Sequence, residues 1–132
     1  MDLLKFMQDY AAEIDGQFSE YNDTKSVIIV PLADSRFQSV VGEKKHAENS
    51  ARTWIELSSH VCKVTDDLPL RELLEENTNF VHGKFSIVEE YLQLEASAFI
   101  DNVTDEILKE IIQEVANLAD HWEFKLTGQD VH

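Results

Sequence analysis

The chain of 132 residues suffices for one domain with one hydrophobic core, and 43% apolar residues exclude a fully disordered protein. Eleven Lys and Arg stand against 26 Asp and Glu, a net charge of −15. That field repels phosphate backbones and anionic lipid, so neither a nucleic-acid partner nor a membrane is expected.

The first 14 residues, MDLLKFMQDYAAEI, carry no basic segment followed by an apolar block and do not read as a signal peptide. They read instead as an amphipathic helix over 2–15, with Leu3, Met7, Tyr10 and Ile14 at three- and four-residue steps. Gly16 is a plausible stop for it. The next element expected is a strand over 26–32, SVIIVPL, where consecutive β-branched residues favour the pleated state. Val27 and Ile29 fall on one face, Ile28 and Val30 on the other, so both faces are apolar. A second strand is expected over 36–45 around Phe37, Val40 and Val41, and the polar EKKHAENS suits a hairpin loop. Lys44-Lys45-His46 there is the nearest thing to a basic patch.

Residues 51–64 alternate most clearly. Thr53, Ile55, Leu57, Ser59 and Val61 form a core-facing row, while Trp54, Glu56, Ser58, His60 and Cys62 form a mostly polar one. Asp66-Asp67-Leu68-Pro69 opens a short helix with Leu70, Leu73 and Leu74 on one side and Glu72, Glu75 and Glu76 on the other. Asn77-Thr78-Asn79 closes it. Two more strands, 80–88 and 91–100, meet at a Glu89-Glu90 turn. A long helix over about 104–126 has Asp105 and Glu106 in its first turn and a stripe from Leu108 to Trp122 facing the core.

The expected fold is therefore a single α+β domain over 1–132. Its order is α-β-β-β-α-β-β-α, an antiparallel sheet of about five strands with the helices packed on one face. One cysteine excludes an internal disulfide, and no segment approaches a membrane span, so residence in the cytoplasm is the expectation.

Catalytic motifs are scarce. The histidines at 46, 60, 82, 121 and 132 show no metal-ligand spacing, and there is no glycine-rich phosphate loop or nucleophile elbow. His60 with Cys62, and Asp120-His121, are the weak candidates for a small enzyme or metal protein. Ordinary strand and helix roles account for both. No catalytic, cofactor-binding or metal residues are therefore assigned. What remains is apolar material on polar faces: Trp54, Tyr91 and Phe99, with Val27 and Ile29 on the doubly apolar strand. These five are the candidate partner-binding residues.

The segments WIELSSHVCKV, LRELLEENTNFVHGKFSI and IIQEVANLADHWEFKL, with the element order, size and acidity, resemble the type III secretion chaperone-like fold. Within that group the chain is most similar to the YbjN-type proteins, described as sensory transduction regulators. The resemblance implies a homodimeric, non-enzymatic, chaperone-like binding module without a cofactor, which holds an extended segment of a partner protein. It also implies a dimer interface on the short middle helix, at Leu70, Leu73 and Leu74. A regulatory role without a secretion client is the alternative that the YbjN-type relatives suggest.

Overall fold

The computed structural model describes residues 1–49 and 51–128. Three helices and six strands follow in the order α1 Leu3–Glu13, β1 Gln17–Glu20, β2 Lys25–Pro31, β3 Phe37–His46, β4 Thr53–Lys63, α2 Leu70–Glu76, β5 Lys84–Val88, β6 Tyr91–Phe99 and α3 Asp105–Thr127. The strands form one antiparallel sheet in the order β1-β2-β3-β4-β6-β5. The α+β class and the bracketing helices agree with the sequence reading, but the sheet has six strands rather than about five.

The additional strand is β1. Its four residues contain one apolar side chain, Phe18, too few for a period to show. It forms because β2 offers an unsatisfied edge, against which Phe18 pairs with Ile28 and Gln17 with Ile29. The strand expected over 80–88 begins only at Lys84. The N–H groups of Val81, His82 and Gly83 turn instead to the carboxylate of Glu114 on α3. That carboxylate takes the place of a strand partner.

One face of the sheet is the core. Ile28 and Val30 of β2, Val40 of β3, Ile55, Leu57 and Val61 of β4, and Leu92 and Leu94 of β6 are all buried. Against them α1 sets Leu3, Phe6, Met7 and Tyr10, and α3 sets Leu108, Ile111, Ile112, Val115 and Trp122. α1 lies over β1–β3 and α3 over β3, β4 and β6. The two helices are fastened side by side where Gln113 donates to the Tyr10 hydroxyl at 2.9 Å. α3 starts where the Thr104 side chain accepts from the Ile107 N–H, and ends at Gly128, whose φ of 71° supplies the left-handed turn. No helix among the described residues is long and apolar enough to cross a membrane.

Candidate protein-binding face

Among the described residues no helix lies on the opposite face of the sheet: α1 and α3 pack on the core side, and α2 sets Leu73 beside Phe85 and Leu92 there. Which residues it presents follows from the register, because residues paired across strands share a face. Trp54 pairs with Phe99, and Lys45 with Trp54. Val27 pairs with Val41, and Ile29 with Ser39. Tyr91 pairs with Lys63 and with Val88. All five candidate partner-binding residues thus stand on this open face, although they do not form one cluster. Trp54 and Phe99 adjoin at one end, Val27 and Ile29 lie beside β1, and Tyr91 stands at the opposite end.

Two depressions mark the face. The first, of about 380 Å³, is lined by Ala47, Arg52, Trp54, Ser97, Ala98 and Phe99. The Arg52 guanidinium lies 3.6 Å from the centroid of the Phe99 ring, and Phe99 remains 44% exposed. The second, also about 380 Å³, opens between β3 and β4 beside Phe37, Val41, Ser58 and His60. The paired register of these strands runs from His46–Thr53 to Val41–Ser58. Beyond it side chains bridge the strands: Gln38 donates to the His60 carbonyl at 2.9 Å, and Ser59 to the Ser39 carbonyl at 2.7 Å. Phe37, at 50% exposure, belongs to this second site. The sequence showed Phe37 only as a strand residue, since its facing depends on where β3 pairs. His60 and Tyr91 stack at 4.3 Å between centroids, closing that end.

The weak catalytic pair comes apart. Alternation placed His60 and Cys62 on one strand face, but the register with β6 shifts between them. His60 lies opposite Gln93 and Cys62 opposite Leu92, so the inserted residue turns the thiol to the core side. Cys62 is 7% exposed. Burial, and then the charge of Glu123, push its thiol above the ordinary range and keep it protonated. The second pair also divides. Asp120 is buried and accepts from Arg36 Nε at 2.9 Å, whereas His121 faces outward. Among the described residues no group of three His, Cys, Asp or Glu is placed to hold a metal ion.

The three leucines of α2 divide by helical facing. Leu73 is 1% exposed and belongs to the chain's own core, whereas Leu70 and Leu74 are 43% and 64% exposed. They border a narrow apolar groove shared with Phe85, Ile87 and Leu92, and β5, which supplies Ile87, is an edge strand.

No protein-family model and no curated protein matches the chain.

Proposed function

We propose that the chain is a non-enzymatic, homodimeric binding module of the cytoplasm that holds an extended segment of a partner protein in a chaperone-like manner. The observation that carries this reading is the open sheet face with its two depressions, one mainly apolar at Trp54 and Phe99, the other setting Phe37 and Val41 among polar side chains. Trp54 and His60, which mark them, are six residues apart on β4, a span of about 20 Å. An extended segment of about seven residues covers that distance and can seat an apolar side chain at each end. The same face would serve a client awaiting export or a component of a signalling pathway. Leu70 and Leu74, beside the edge strand β5, are the surface proposed for the dimer contact.

The test joins molar mass by light scattering with partner binding in the doubly substituted Trp54→Ser, Phe99→Ser protein. The expected result is a dimer for both proteins and loss of binding in the variant. Leu74→Glu should yield a monomer. If the double variant still binds its partner undiminished, the open face is not the binding surface. If the wild-type chain is a monomer at micromolar concentration, the dimer assignment fails.

A further inference from the structure

Given the open face as the binding surface, on which this inference rests, the mode of capture can be read from the backbone of β3. In an antiparallel sheet the N–H and C=O of one residue point to the same neighbouring strand, and successive residues alternate. The Leu32 N–H meets the Arg36 carbonyl and the Lys44 N–H meets the Thr24 carbonyl, both on the β2 side. Even-numbered residues of β3 therefore turn their backbone groups to β2, and odd-numbered ones turn theirs to β4. Ser59 of β4, which donates to the Ser39 carbonyl at 2.7 Å, agrees with that assignment.

The last pair that β3 and β4 share is Val41–Ser58. β3 nevertheless runs on to Phe37, paired there with β2 alone, and β4 runs on to Lys63, paired there with β6 alone. Two inner edges thus face each other across a gap in the middle of the sheet. On the β3 side the residues that turn toward it are Ser39 and Phe37. The Ser39 carbonyl takes the Ser59 hydroxyl, but the Ser39 N–H and both backbone groups of Phe37 have no rung on β4 to meet. These residues line the depression of about 380 Å³ beside Val41, Ser58 and His60, so the incomplete edge opens onto the binding face. The outer edge at β5 is less open, because Asn77 Oδ1 already accepts from the Phe85 N–H at 2.7 Å.

We propose that the inner edge of β3 captures the partner segment by its main chain, as an inserted strand. Two or three residues, at the end of the segment that reaches His60, enter the gap. They exchange N–H···O bonds with Phe37 and accept from the Ser39 N–H. The Gln38 and Ser59 side chains, which bridge the gap in the free chain, give way to them. The Trp54–Phe99 end of the face then reads a side chain, whereas this end reads backbone. It tolerates most residues and excludes proline, which has no N–H to give.

The experiment uses the full chain and a fluorescein-labelled peptide of about seven residues, valine and threonine in alternation. Two further peptides carry N-methyl groups on the amides near one end or the other, and anisotropy is read at physiological salt. One of the two should bind about tenfold more weakly than the parent, having lost a hydrogen bond and gained a methyl in the gap. Ser39→Pro removes a donor that β2 does not use and should weaken the parent peptide about fivefold. Hydrogen exchange followed by NMR needs no variant. In the free chain the Phe37 and Ser39 amides should exchange readily while those of Gln38 and Val40, paired with β2, are protected, and the complex should protect all four. Equal binding of the three peptides, or Phe37 and Ser39 amides already protected in the free chain, overturns main-chain capture and leaves the open face as a binding surface. Failure of the parent peptide to bind overturns both readings.

Discussion

Glu114 is the sharpest place to test the energetics of the fold. Its carboxylate accepts from three successive backbone N–H groups: Val81 at 2.9 Å, His82 at 2.7 Å, and Gly83. Burial by itself would raise the pKa of Glu114, but the three backbone bonds and the nearby His82 outweigh it and hold the carboxyl below its ordinary 4.5. The bonds to His82 and Gly83 are partly buried, while that to Val81 is exposed to water. An orphaned buried donor costs about 1–3 kcal/mol, so Glu114→Ala should destabilise by about 2–5 kcal/mol. Glu114→Gln keeps one acceptor oxygen but no charge and should cost about 1–2 kcal/mol. For a domain of total stability on the order of 10 kcal/mol, the alanine variant should melt on the order of 10 °C lower. Urea denaturation measures the loss, and hydrogen exchange at His82 and Gly83 should quicken ahead of the rest of the sheet. The pH dependence has a definite sign. A depressed carboxyl contributes stability that is fully present above its unfolded pKa and is lost as pH falls through its folded one. The gap between wild type and Glu114→Gln should therefore be widest near neutrality and close on acidification below 4.5. Losses under about 0.5 kcal/mol for both variants would refute the reasoning.

Three further outcomes are expected. A Cβ added at Gly16 would collide with the Ile29 carbonyl oxygen, which is backbone, whereas one at Gly42 would meet the movable end of Met7 at 2.7 Å. Gly16→Ala should therefore cost about 1–3 kcal/mol and Gly42→Ala less, and a reversed order in denaturation would contradict this. The buried, protonated Cys62 should resist a disulfide reagent in the native state and react promptly once unfolded, and quick native reaction would place it outside the core. Asp120→Ala removes a buried partner from Arg36, itself partly exposed, and should cost about 2–3 kcal/mol, below the full penalty for breaking a wholly buried pair. A change within experimental error would show that Arg36 does not hold the β2–β3 turn on α3.

Where the sequence was legible, one strong local signal decided the element. The stripe from Leu108 to Trp122 faces the core as periodicity requires, and so does the row Ile55, Leu57, Val61. The facing of Trp54, Phe99 and Tyr91 followed from alternation along their own strands. The failures share a cause, since each depends on what a segment pairs with rather than on its own periodicity. β1 exists because β2 needs a neighbour, the residues from Val81 to Gly83 leave the sheet for a carboxylate on α3, and Cys62 turns inward because β6 pairs out of step with β4. The last two partners lie about 30 residues away, outside any short window, while β1, a chain neighbour of its partner, carries too few apolar residues to show a period. Leu73 differs from Leu74 by a single helical step, which decides between core and surface.

On the proposed reading of the open face as a binding surface, the acidity, which composition alone left open between solubility and partner choice, would act against self-association. An open sheet face bearing Phe37 and Phe99, together with edge strands at β1 and β5, presents the features through which sheets associate indiscriminately. With acids placed mainly on helices and turns, the charge of −15 would, on that reading, keep copies apart while leaving the face itself open to a partner. If so, the repulsion is long-ranged and should fail when salt shortens the screening length to about 3 Å near 1 M. Light scattering should then show species larger than those at physiological salt at about 1 M sodium chloride, and Trp54→Ser with Phe99→Ser should suppress them, since salt strengthens apolar association only where apolar surface is exposed. An unchanged mass across that salt range would mean that shape and the lysines on the face, rather than net charge, keep the copies apart.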